Sequence, residues 1–210
     1  MQISSNRHYF VAILAGLVSF QIIALLLVFL AELIPDNLIV DALVEGVDEK
    51  WITAEHVTTG LDNRVDRLTE CTALTMGLGD RKGSTRLETA ISNPNLGSCD
   101  RVISSLSAYE SGKGLVPVSQ YFRYWHGYTV ITRPSLALFG VAGTRMIALA
   151  IVGFAFIGFL RLLSRDTDFT AVALLAIPIV LSTDFVDLAE STTHAIAFGT
   201  LMLSMALVWK

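Results

Sequence analysis

The apolar positions of this chain fall into four blocks, with a long polar stretch after the first. From Tyr9 to Ala31 the sequence reads YFVAILAGLVSFQIIALLLVFLA, without a single charge. A helix needs ~20 such residues to cross the hydrocarbon core of a bilayer. A secretory signal has an apolar region of only about 7–15 residues before its cleavage site. The longer run, followed by Glu32-Leu33-Ile34-Pro35, predicts an uncleaved membrane anchor. Three more apolar runs follow near the other end: Met146 to Leu160, Phe169 to Leu181 with Pro178 inside it, and His194 to Trp209. The last two are short for full spans, so a hairpin sunk from one side is the alternative for that pair.

Between the first two blocks the pattern becomes that of amphipathic helices. Asp36 is placed to cap a helix over NLIVDALVEGVDEK, and Asp62 one over NRVDRLTECTALTMGL with Val65, Leu68, Thr72 and Met76 on one stripe. Thr85 with Glu88 three residues on is a capping box, and Asn93-Pro94 ends that short helix. A fourth helix runs from Cys99 to Glu110, with Val102, Ile103, Leu106 and Tyr109 at helical spacing. No stretch alternates long enough to predict a sheet. The fold class is therefore an all-α integral membrane protein. Residues 1–33 form a cytoplasmic N-terminus and first span, 34–134 a helical extracytoplasmic domain, and 135–210 spans two to four.

Composition and charge agree. Of the 210 residues, 53% are hydrophobic and 16% charged, against about 25% charged in ordinary soluble domains. Arg7, Arg161, Arg165 and Lys210 fall in the segments assigned inside, while the loop before the fourth run carries only Asp184, Asp187 and Glu190. That obeys the positive-inside rule and places both termini in the cytoplasm. The 32–134 segment holds 10 Lys+Arg against 14 Asp+Glu. Nothing in this balance points to nucleic acid. The only cysteines, Cys71 and Cys99, both lie in that segment. An oxidising compartment favours a bridge between them, worth roughly 3–4 kcal/mol by loop-closure entropy.

Several groups carry candidate chemistry. Asp66 and Glu70 are four apart, on one face of the second helix, and form an acidic site if a cation answers them. Arg64, Arg67 and Arg123 are the candidates for that cation. Otherwise the pair is a solvated helix face. Glu32 and Asp36 flank the end of the first span, as catalytic carboxylates or as boundary and cap. GLGDRKGS (77–84) is either a turn or a phosphate cradle, though it lacks the P-loop spacing. Arg145 either clamps a lipid phosphate or snorkels at a span boundary. Glu190 and His194 are too few for a metal site, and the histidines at 8, 56, 126 and 194 show no zinc spacing. No metal or other cofactor is expected. YFRYWHGYTVITRP (121–134) suits an aromatic belt at the approach to a span, but a belt does not call for Arg123 and His126.

Two segments, NRVDRLTECTALTMGL (63–78) and RYWHGYTVITRPSLALF (123–139), resemble a group of bacterial multi-spanning envelope proteins, with a weaker echo in AIPIVLSTDF. Their layout is similar to that of GT-C-type glycosyltransferases. The resemblance implies glycosyl transfer from a polyprenyl-phosphate sugar to an envelope glycan acceptor. Asp66 or Glu70 would activate the acceptor, and Thr69 lies between them. Arg123, Arg133 and Arg145 would hold the donor phosphate, and Tyr124, Trp125, His126 and Tyr128 would contact sugar or lipid. Such proteins carry more spans, so the chain matches either a short relative or the N-terminal part of a longer one. The alternative is a non-catalytic scaffold or partner subunit, working with other membrane subunits, whose domain only binds.

Overall fold

The computed structural model describes residues 3–54, 67–79, 83–120, 126–182, 185, 188 and 191–208. Among them are eight helices: α1 (Ile3–Ala31), α2 (Asp36–Asp48), α3 (Arg67–Leu74), α4 (Arg86–Ser92), α5 (Cys99–Glu110), α6 (Thr129–Asp166), α7 (Phe169–Ser182) and α8 (Thr192–Val208). The one departure from an all-α reading is a pair of two-residue strands. β1 (Pro94–Asn95) runs antiparallel to β2 (Ser119–Gln120), with Pro94 opposite Gln120 and Asn95 opposite Ser119.

Two helices are long and apolar enough to cross a membrane, α1 over Tyr9–Ala31 and α6. Only 11% of the apolar window of α1 is buried, and Ile13, Leu14, Leu17 and Ile22 stand more than half exposed. A core helix of a soluble protein would hide these side chains, because each costs roughly 1.5–3 kcal/mol to leave in water. α7 and α8 are apolar but shorter, at 14 and 17 residues. Their lengths are about 21 and 26 Å, against ~30 Å of hydrocarbon.

α6 is two limbs. At Gly140 the backbone turns to φ +66°, ψ −170°, a region essentially closed to residues with a Cβ. The first limb, 129–139, belongs to the inter-helix domain. The second, 141–166, is the apolar rod against which α8 packs. Ala148 and Val152 meet Ala195 and Ile196, and further along Phe156 and Phe159 meet Met202.

The domain between α1 and α6 has its own core. Ile39, Val40 and Leu43 of α2 meet Leu74 and Leu78, Val102 and Leu106 of α5, and Leu136 and Val141 of α6. The Cys71–Cys99 disulfide is formed and joins α3 to the first residue of α5. The Thr85–Glu88 capping box is present on both sides, and Asn93 closes α4 in a left-handed conformation. α5 has the predicted bounds, with Val102 and Leu106 buried and Tyr109 at its exposed edge.

Two expectations change. Asp36 is not the cap of α2. It is the first helical residue, Pro35 holds the cap position, and the Asp36 carboxylate is drawn to Arg133 instead. The second helix, expected to run on to Leu78, stops at Leu74, so Met76 of the Leu68–Thr72–Met76 stripe lies in the turn beyond α3. The core takes Cys71, Leu74 and Leu78, while Leu68 is 61% exposed.

Candidate functional site

Two of the three arginines expected to hold a phosphate, Arg133 and Arg145, are buried and engaged inside the protein. Arg133, on the first limb of α6, is 1% exposed. Its Nε donates to the Ala31 carbonyl at 3.1 Å, and one terminal nitrogen donates to the Met76 carbonyl at 3.0 Å. The other donates to Asp36 at 2.9 Å and to the Ile34 carbonyl at 3.4 Å. The Glu32 carboxylate lies 3.4 Å from the first. Helix C-termini leave carbonyls without intrahelical donors. One planar guanidinium here serves the end of α1 and the turn after it.

Arg86 reinforces the cluster, donating to the Glu32 carbonyl at 2.7 Å and lying 3.9 Å from Asp36. Burial pushes the Glu32 carboxyl from its ordinary 4.5 up to about 7, against the opposing pull of Arg133. Burial raises Asp36 as well, again against Arg133 and Arg86. Gly77 permits the close approach. A Cβ there would strike both the Glu32 carboxylate and the Arg133 guanidinium, and its φ of +85° already favours glycine. Its N–H donates to the Pro94 carbonyl at 2.7 Å. The first glycine of GLGDRKGS is thus spent on packing rather than on a phosphate. Residues 80–82 of that segment lie outside the described residues.

Arg145, on the second limb, is 7% exposed and does not snorkel. It donates to the Trp51 carbonyl at 3.0 Å, lies 5.9 Å from the Trp51 ring centre, and faces Glu70 at 3.6 Å. Glu70 is 1% exposed. One carboxylate oxygen accepts from the Thr192 N–H and the other from the Thr192 hydroxyl, both at 2.8 Å. A carboxylate at a helix N-terminus satisfies free N–H groups and complements the helix dipole. Glu70 does this for α8 from another element. Burial pushes its pKa up, while Arg145 and Thr192 pull it down. The cation that answers Glu70 among the described residues is Arg145; Arg64, Arg123 and the side chain of Arg67, the candidates from sequence, lie outside what is described. A carboxylate so committed is poorly placed to take a proton from an acceptor.

The C-terminal end of α1 and the N-terminal ends of α6 and α8 all meet the inter-helix domain, α1 and α6 through Arg133 and α8 through Glu70. Beside the second junction lies a cleft of about 510 Å³, within the range of roughly 300–1,000 Å³ typical of small-molecule sites. One wall is formed by Leu68, Thr69 and Thr72 of α3 and by Met76 in the turn after it. The opposite wall is Asn95, Gly97 and Ser119 of the β1–β2 pair and the turn after it. His126, Tyr128 and Thr193 close the end toward α6 and α8. The Asn95 amide holds the Ser119 hydroxyl at 3.2 Å. The imidazole Nδ1 of His126 lies 3.1 Å from the Tyr128 hydroxyl, with the rings edge to face. The Cys71–Cys99 bridge joins residues next to Thr72 and two after Gly97, and so links the segments that carry the two walls.

Of the residues singled out from sequence, His126 lines this cleft, Glu70 sits behind its α3 wall, and Arg133 and Arg145 lie in the two clasps. Asp66, Arg123, Tyr124 and Trp125 lie outside the described residues, as do Glu190 and Lys210. His194 is exposed and contacts the Ser191 hydroxyl. Trp51 and Thr192 were not foreseen: each meets its partner across about half the chain, and no local spacing marks them. No group of three or more metal-ligating side chains occurs among the described residues. The chain matches no family model, and neither a curated protein nor a solved structure is significantly similar to it.

Proposed function

We propose that the chain is a bacterial inner-membrane protein that handles a polyprenyl-phosphate-linked saccharide or its envelope glycan acceptor, in the manner of a glycosyltransferase. In this reading α1, the second limb of α6, α7 and α8 cross the membrane, both termini are cytoplasmic, and the inter-helix domain is extracytoplasmic. Three helix ends meeting one domain support that topology, because the ends of α1, α6 and α8 then share one side. Arg161 and Arg165 sit at the far end of α6, as the positive-inside rule requires.

The observation that carries the functional reading is the cleft at the junction of domain and apolar helices, largely apolar with threonine, serine and tyrosine side chains in its lining. A substrate anchored in the bilayer reaches such a junction directly. With Glu70 committed to Arg145 and Thr192, the base for glycosyl transfer falls to Asp66. With Arg133 and Arg145 committed, Arg123 is left to hold a phosphate.

A second reading, a binding subunit without catalysis, is favoured by one fact: no carboxylate among the described residues lines the cleft. The two part at Asp66→Asn. Under the first, this variant abolishes the glycan product in cells at unchanged protein level, whereas Glu70→Gln lowers the protein level itself. Wild-type glycan in Asp66→Asn refutes catalysis and leaves the binding subunit.

A further inference from the structure

A second groove, of about 480 Å³, runs between α2 and the break in α6. Its floor is where the two helices touch. Gly46 admits Val141, since a Cβ at Gly46 would come within 2.5 Å of a Val141 methyl. One bank is acidic: Asp41, Glu45 and Glu49 line it, at the four-residue spacing that puts helix side chains on one face. All three are exposed. Like charges so placed repel one another. Glu49 accepts from the Trp51 indole at 3.0 Å. Among the described residues, the carboxylates of Asp41 and Glu45 form no ion pair. The other bank is apolar and open, with Leu138 72% exposed and Phe139 60% exposed.

The spacing decides what fits. Asp41 and Glu49 stand about 12 Å apart along the helix axis, too far for the three carboxylates to close around one metal ion. Leu138 and Phe139 alone would suit a bilayer surface, but the facing carboxylates would there meet lipid phosphates of their own sign. A ladder of cations with the rise of a helix, carried beside apolar side chains, complements both banks. We propose that this groove docks a basic amphipathic helix of a partner protein. Its Lys or Arg side chains, at i and i+4, lie opposite Asp41 and Glu45, and its apolar face covers Leu138 and Phe139. The docking draws nothing from the glycan reading and holds for an enzyme or a binding subunit alike.

The test places a photo-crosslinking residue in the groove, Leu138→benzoylphenylalanine, in the full chain in native cells. A protein is captured through a Lys- or Arg-rich stretch of its sequence, and adding Asp41→Asn/Glu45→Gln weakens the capture. Both carboxylates are exposed, so this variant keeps its protein level. In nanodiscs of net-neutral lipid, a synthetic helical peptide with lysines at i, i+4 and i+8 and leucines on the adjoining face binds the full chain above the empty-disc baseline. Asp41→Asn/Glu45→Gln weakens that binding roughly tenfold, the weight of two exposed ion pairs, and Leu138→Ser weakens it by removing apolar contact. The proposal is overturned if the crosslinker finds only lipid, only a second copy of this chain, only a stretch without cations, or nothing. Peptide binding indifferent to Asp41 and Glu45 overturns it equally.

Discussion

Replacing Glu32 by Gln probes the first clasp at its most sensitive point. In the unfolded chain this carboxyl ionises around its ordinary 4.5, but in the folded protein burial holds its proton until about pH 7. A raised folded-state pKa means that the stabilisation is fully present below 4.5. It is lost progressively as the pH rises to about 7, and the curve is flat above. The interval corresponds to about 3 kcal/mol. Asp36, raised in the same direction, adds to the same slope. For a chain of this size each kcal/mol moves Tm by about 2–4 °C, so the wild-type Tm falls by about 6–12 °C across the window. Gln mimics the protonated carboxyl and does not titrate. The variant therefore loses most of the slope and is more stable than wild type at about pH 8. Thermal unfolding followed by circular dichroism in nanodiscs, at half-unit pH steps, measures both curves. A wild-type slope retained in Glu32→Gln, or a wild-type Tm that rises over this range, refutes a buried, protonated Glu32.

Two further predictions concern the second clasp and the break in α6. Arg145→Met leaves Glu70 buried without its counter-charge and costs about 3–5 kcal/mol, part of which Arg145→Met/Glu70→Gln recovers, because the amide is uncharged and its oxygen still accepts from Thr192. A double-mutant cycle measures this, and no recovery in the double variant contradicts the pairing. Gly140→Ala forces a side chain into a backbone region reserved for glycine and costs about 1–3 kcal/mol unless the limbs realign. Denaturation together with spin-label distances between the two limbs distinguishes the outcomes, and an unchanged stability and distance would contradict the break.

What was legible in the sequence is what local physics determines. The Thr85–Glu88 box and the bounds of α5 depend on contacts three or four residues apart. The α1 span needs only composition. The disulfide followed from two cysteines sharing one segment. The clasps were illegible because their energy comes from partners far away in the chain. Arg145 read as a boundary cation because nothing near it in sequence is acidic, and Glu70 read as one half of a pair with Asp66. Asp36 fits the statistics of a cap, yet a buried guanidinium outcompetes the backbone N–H groups for its carboxylate. Leu68 and Thr72 of the expected stripe do lie together along the cleft, with Met76 joining them from the turn past α3. Their role as a cleft wall depends on a turn, Asn95–Gly97, that their own period says nothing about.

The two clasps also order the protein's biogenesis. Arg133 meets the Ala31 carbonyl across 102 residues, and Glu70 meets Thr192 across 122. As the chain emerges from the ribosome, the end of α1 waits for its guanidinium partner until the start of α6 has been made. The α3 wall of the cleft waits longer, for α8. Its final fastening is therefore a late event. A nascent chain arrested before residue 192 would hold the disulfide and the first clasp, but its cleft would lack the Thr193 side and the anchor behind Glu70.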